Sequence, residues 1–189
     1  AAPAGRVLEV GVGTGKNFPY HPRGATMTGV DLADQMLVRA QERARRLGQA
    51  IDLREMDAQA LTFPDGAFDA AAATFVFCSV PDPVRGLREL ARVVRTGGRI
   101  LLLEHVRIDQ PIIGCVMDWL NPLLVRLLGA NINRRTVENV RRAGLRIESV
   151  ESLGPLGMVK FIIARPGEDS SVPVSVPESA RNRLLLLKR

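Results

Sequence analysis

Three glycines at alternate positions, Gly11, Gly13 and Gly15, stand between two acids, Glu9 and Asp31. The glycines let the backbone turn tightly and let a ligand lie close against it. Asp31 closes a short run, Met27-Thr28-Gly29-Val30, that reads as a strand. A carboxylate at the tip of such a strand accepts hydrogen bonds from both hydroxyls of a ribose. The chemistry these residues serve is the binding of an adenosine-containing cofactor. The dinucleotide fingerprint is G-x-G-x-x-G, whose third glycine packs a helix against a strand. Here Lys16 occupies that third place, and Gly15 comes one residue early.

The E-x-G-x-G-x-G form of Glu9 to Gly15 resembles motif I of the class I S-adenosylmethionine (SAM) methyltransferases. SAM has no pyrophosphate, and an acid near the turn suits its sulfonium and ammonium. Phe63-Pro64-Asp65-Gly66-Ala67-Phe68-Asp69 resembles the family's FPD-x-x-FD segment. Leu90 to Arg99 resembles its E-x-x-R-V-L-K-P-G-G element, with Thr96 in place of the proline. These segments span residues 7–105. The resemblance implies SAM as cofactor and S-adenosylhomocysteine as product. It implies cofactor contacts from Glu9, Gly11, Gly13, Gly15 and Asn17 in the first turn, and from Asp31, Leu32 and Met36 after the second strand. Asp57 would hydrogen-bond the adenine amino group, Ala58 would read the ring through its backbone, and Phe75 is the remaining candidate cofactor contact.

Methyl transfer is an in-line displacement with a good leaving group, so the protein mainly aligns and desolvates the reactants. The acceptor needs a free lone pair, and an ammonium must first lose a proton to a base or to water. Tyr20 and His105 are the catalytic candidates. Tyr20, His21, Glu104, His105 and Arg134 are the candidate substrate contacts. Tyr20, the only tyrosine, also offers a ring face to a cationic head group. Cys78 reads as a small core residue. The two histidines lie far apart in sequence and form no metal-ligand cluster.

The elements that position these residues alternate. Residues 6–10, 26–30, 51–56, 68–77, 99–105, 145–150 and 158–164 read as strands, the fourth buried on both faces. Residues 33–47 read as a helix with Met36, Leu37, Ala40, Ala44 and Leu47 on one face. Residues 83–94 and 134–143 are further helices, and Thr96-Gly97-Gly98 is a turn. Such alternation predicts a parallel sheet covered by helices, with right-handed crossovers that bring the cofactor loops to the C-terminal edge. The resemblance implies an α/β, Rossmann-like, seven-stranded class I methyltransferase sheet, mostly parallel with an antiparallel last strand and helices on both faces. The domain is expected over residues 1–166, followed by a flexible or loosely docked tail, 167–189. The family usually carries one or two helices before the first strand, so a missing N-terminal segment is expected.

With 189 residues, 46% of them hydrophobic, the chain suits one domain with a sizeable core. Two cysteines imply no disulfide framework and point to a reducing compartment. The net charge is +6, nearly all from arginine. That excess reads either as attraction to an anionic surface or as an ordinary solvated exterior. No apolar run is long enough to span a bilayer. The chain lacks an N/D-P-P-[YFW] motif and aromatic-basic interleaving, so nucleic acid is not expected as a partner.

Four segments narrow the acceptor: Lys16 to Pro22, Leu103 to Arg107, Leu120 to Leu123 and Asn131 to Arg134. They look like the soluble bacterial phospholipid N-methyltransferases and relatives acting on thiols or quinone precursors. The usual second tyrosine after Tyr20 is here His21. The resemblance implies stepwise methylation of phosphatidylethanolamine toward phosphatidylcholine on an anionic membrane, in the cytoplasm at the inner face. A soluble lipophilic thiol or quinone precursor is the alternative acceptor. Residues 111–128, with Trp119, read either as an interfacial segment or as a lid over an apolar pocket. Arginines 126, 134, 135, 141, 142 and 146 are placed to meet lipid phosphates, each worth ~1 kcal/mol at an anionic surface.

Overall fold

A computed structural model describes residues 5–106, 119, 126, 135–154 and 157–167. Seven strands form one sheet: β1 (Arg6–Val10), β2 (Thr26–Asp31), β3 (Ile51–Glu55), β4 (Phe68–Thr74), β5 (Val94–His105), β6 (Leu145–Leu153) and β7 (Val159–Pro166). Their order is β3-β2-β1-β4-β5-β7-β6. The first five strands run parallel, and β7 pairs antiparallel with both β5 and β6. The helices are α1 (Asp34–Arg46), α2 (Pro83–Val93) and α3 (Thr136–Arg142). This is the Rossmann-like sheet the motifs imply.

Sequence explains the elements. Helix α1 buries Leu37, Ala40 and Ala44, the i, i+3, i+7 stripe of a surface helix. They pack on Met27 and Ile51 beside Val12 and Phe18. Helix α2 begins on Pro83, whose missing N–H costs nothing in a first turn. The Asp82 side chain caps it by accepting the Arg85 N–H at 3.0 Å. Leu87, Leu90 and Val93 then cover the larger core of Leu8, Val10, Ala71, Ile100 and Leu102. Each fully buried aliphatic side chain of this kind contributes about 1.5–3 kcal/mol.

Three expectations change. The fourth strand ends at Thr74 rather than continuing to residue 77, because Phe75 adopts φ +58° and leaves the extended region. Thr96 to Gly98 lie inside β5 as an irregularity: Phe68 pairs with Val94 but Ala70 pairs with Arg99, so residues 95–98 are accommodated opposite Asp69. On α1, Met36 and the adjoining Leu47 are exposed instead of joining the buried stripe. Trp119 is helical and 80% exposed, and Arg126 is helical and exposed. The rest of the apolar segment 111–128, Arg134 and the tail beyond Gly167 lie outside the described residues. No helix among the described residues is long and apolar enough to cross a membrane.

Candidate active site

The parallel register brings the C-terminal ends of four strands to one edge. Val10 pairs with Val30 on one side and with Ala73 on the other, and Asp31 pairs with Glu55. Strand order reverses between β1 and β4, which is where open α/β sheets form a ligand crevice.

The turn after β1 is held by its own backbone. The N–H groups of Gly11 and Val12 both donate to the Val30 carbonyl, at 2.8 and 3.1 Å. Gly13 sits at φ +53°, and a Cβ built there meets nothing within 4 Å, so open space lies over it. Gly15 differs: a Cβ there would fall 2.5 Å from the Phe18 ring, so its bare backbone is what lets the turn close on that buried ring. The Gly13 N–H donates to Asp31 Oδ2 at 2.8 Å, and the Ala33 N–H to Oδ1 at 2.9 Å. Two backbone donors thus fix the Asp31 carboxylate at the tip of β2, with lone pairs left for a diol.

Beneath the turn Glu9 is only 2% exposed. Its Oε1 accepts from Asn17 Nδ2 at 2.7 Å, and its Oε2 lies 2.7 Å from His21 Nε2. Asn17 also reaches Thr74 Oγ1 at 3.2 Å, tying the turn to the end of β4. His21, expected at the acceptor rim, is therefore engaged by Glu9, and its ring tilts against Phe18 at 5.1 Å. Tyr20 is half-buried beside it, in a single 3-10 turn (Phe18–Tyr20).

After β3, Asp57 Oδ1 accepts the Gln59 N–H at 2.8 Å, and both its oxygens receive the Gln59 amide. The Gln59 Oε1 in turn accepts the Asp82 N–H at 2.9 Å, linking this loop to the start of α2. Ala58 is buried beside Asp57. Leu32 and Met36 are exposed at the same edge, as is Phe75 at 40%.

After β4, the Phe75 N–H donates to the Leu103 carbonyl at 2.8 Å. Its ring stacks on His105, centroids 4.3 Å apart and planes 21° apart. Partial burial against its neighbours lowers the His105 imidazole pKa below its ordinary value, which favours the neutral ring. Glu104 is fully buried rather than at the rim. Its Oε1 accepts the N–H groups of Val76 and Phe77 at 2.9 and 3.0 Å. Burial pushes its pKa up to about 7, against the pull of those N–H groups.

The edge therefore combines Glu9, Asp31, Asp57, open space over Gly13 and the exposed apolar groups Leu32, Met36 and Phe75. This set fits SAM. Asp31 would hold the ribose, Asp57 the adenine edge, the apolar groups the adenine faces, and Glu9 would offset the cofactor's positive charge. Tyr20, Phe75 and His105, the last residue of β5, lie toward the same edge. Among the described residues no group of three His, Cys, Asp or Glu is placed to hold a metal ion. A groove of about 550 Å³ lies at the opposite edge, lined by residues that include Arg92, Arg95 and Gly167. Its guanidinium groups are already paired, Arg92 with Glu89 and Asp65, Arg95 with Asp69.

Sequence reasoning missed Gln59, Thr74 and the Glu9–His21 pair. The pair spans a turn whose path no periodicity encodes.

The fold and this edge define a SAM-binding domain of Rossmann type. Residues 8–102 match the methyltransferase domain family, and the chain belongs to it, with SAM as the cofactor. The phosphatidylethanolamine N-methyltransferase of Cereibacter sphaeroides is 43% identical over 111 residues, 58% of this chain and 55% of that protein. The ubiquinone/menaquinone biosynthesis C-methyltransferase UbiE of Bdellovibrio bacteriovorus is 31% identical over 127 residues, 66% of this chain and 54% of that protein. The chain spans about half the length of the curated relatives it matches. Among solved structures, a SAM-dependent methyltransferase from Methanosarcina mazei superposes with a TM-score of 0.70 at 21% identity, covering 87% of this chain and 93% of that one. The [4+2]-cyclase SpnF superposes with a TM-score of 0.72 at 22% identity, over 86% of this chain and 75% of that one. That likeness shows the fold alone, and one fold hosts more than one chemistry.

Proposed function

We propose that the chain is the catalytic domain of an enzyme that methylates the amino group of phosphatidylethanolamine stepwise toward phosphatidylcholine. SAM supplies an electrophilic methyl group on a sulfonium and leaves as a neutral thioether. The observation that carries methyl transfer is the acid-lined edge of Glu9, Asp31 and Asp57 around the open space over Gly13. The chain's own contribution is to align the acceptor and exclude water. His105, whose pKa partial burial lowers, is the group we assign to take the proton that an ammonium acceptor sheds. The face of Tyr20 is assigned to the cationic head group.

The Cereibacter relative supports the phospholipid acceptor. Exposed Trp119, the net charge of +6 and the exposed Arg135, Arg141, Arg142 and Arg146 support docking on an anionic membrane, at its cytoplasmic face. A second reading, C-methylation of a quinone precursor, is favoured by the UbiE and demethylmenaquinone methyltransferase relatives. The test is methyl transfer from labelled SAM. Vesicles of phosphatidylethanolamine with an anionic lipid are compared with a demethylated quinol in detergent. Label in mono- and dimethylated phosphatidylethanolamine supports the first reading. Label in the quinol alone replaces it with the second.

A further inference from the structure

Resting on the methyltransferase reading, we propose that Glu104 is a positioning residue, whose buried carboxylate fixes the loop after β4 so that Phe75 stacks on His105 and forms one wall of the site. It touches neither cofactor nor acceptor.

The backbone explains why a carboxylate is needed. Strand β4 ends at Thr74, and the Phe75 N–H takes the Leu103 carbonyl. The next two N–H groups, of Val76 and Phe77, have left the ladder and lie in the interior, where an unpaired N–H is costly. One oxygen of Glu104 accepts both, at 2.9 and 3.0 Å. The Cys78 thiol meets the Phe75 carbonyl at 3.4 Å, within the same loop. This clamp holds Phe75 at φ +58°, a conformation that costs a non-glycine residue on the order of 1–3 kcal/mol and persists only where surroundings over-determine it. Its consequence is the 4.3 Å stack of Phe75 on His105.

Packing alone would favour another side chain here. Glu104 is a fully buried carboxyl group beside the buried apolar residues Leu102, Leu103 and Val106 of its own segment. Its Oε2 is buried with no partner among the described residues. Lys160 stands opposite it across β7, but the Lys160 Nζ donates to Ser152 Oγ at 2.7 Å. Among the described residues no cation pairs with this carboxylate. A methionine would fill the space at lower cost, and what it would lack is an acceptor for the loop.

The chain has two histidines, so imidazole NMR reports the clamp directly. In the wild type the His105 Hε1 resonance carries the ring-current shift of Phe75, and His21, held by Glu9, is an internal control of folding. Glu104→Met should release the His105 resonance toward that of a free imidazole, leave His21 in place, and weaken binding of labelled SAM about tenfold. Glu104→Gln, which keeps an oxygen for both N–H groups, should restore both readouts. If the Met variant does not fold, Glu104→Asp withdraws the oxygen by one methylene and should still displace the His105 resonance. A Met or Asp variant that folds with the wild-type His105 signal and SAM affinity would overturn the proposal, as would a Gln variant with no rescue. Neither readout involves an acceptor, so failure of the phospholipid reading leaves this result intact. Wild-type protein that shows the stacked His105 signal but no SAM binding would count against the methyltransferase reading instead.

Discussion

Nε2 of His21 lies 2.7 Å from Oε2 of Glu9, two residues brought together by the glycine turn that separates them. Among the described residues, Glu9 would otherwise be a buried carboxylate with Asn17 as its side-chain partner. His21 thereby couples the shape of the cofactor turn to the loop that carries Tyr20.

His21→Ala leaves one oxygen of a buried carboxylate unsatisfied. The expected cost is about 1–3 kcal/mol of stability, and SAM affinity falls as Glu9 loses its fixed position. Denaturant unfolding and equilibrium dialysis with labelled SAM check the two effects. A variant with wild-type stability would show that the pair contributes nothing.

Asp31→Ala removes the carboxylate aimed by the Gly13 and Ala33 N–H groups. SAM binding should weaken by about 1.5–3 kcal/mol, the range for hydrogen bonds to a charged group. Isothermal titration measures it, and unchanged affinity would remove Asp31 from the ribose.

Gly13 and Gly15 separate function from folding. A methyl group at Gly13 meets no protein atom, so Gly13→Ala carries only the strain of its positive φ, about 1–2 kcal/mol, and fills cofactor space. Gly15→Ala would also drive its methyl into Phe18. Melting and SAM titration should show Gly13→Ala losing affinity out of proportion to stability, and Gly15→Ala losing stability more. The reverse ranking would contradict the placement of the cofactor.

Glu104 sets a pH dependence of stability. Its folded pKa is raised to about 7 from 4.5, so the folded state holds the proton more tightly than the unfolded chain. The stability this gives is fully present below about 4.5 and is lost as pH rises to about 7. Glu104→Gln should therefore gain stability over the wild type between pH 5 and pH 8, by on the order of 3 kcal/mol. Parallel urea titrations at the two pH values check the sign. A gap that does not widen with pH would mean that Glu104 is ionised throughout.

Strand and helix types were legible because burial follows simple patterns: Leu37, Ala40 and Ala44 one helical stripe apart on α1, and the short apolar run that ends buried at Leu8 and Val10 on β1. Asp31 and the glycines were legible because their spacing mirrors the turn they make. The exposure of Met36 was not legible from the helical period that placed it with Leu37 and Ala40, although the family resemblance marks it as a cofactor contact. Nor was the end of β4, which depends on Phe75 entering the left-handed region under the grip of Glu104, a residue far along the chain. Glu104 and His21 read as rim groups by position. Their partners, backbone N–H groups and Glu9, have no signature in residue type.

The central claim is that the edge between β1, β2 and β4 holds SAM. Amide NMR during a SAM titration tests it most directly. The account predicts saturable shifts concentrated at residues 11–15, at Asp31 and Leu32, at Asp57 and Ala58, and at Phe75. Shifts confined to the opposite edge, around Arg92, Arg95 and Gly167, or no shifts at all, would contradict it.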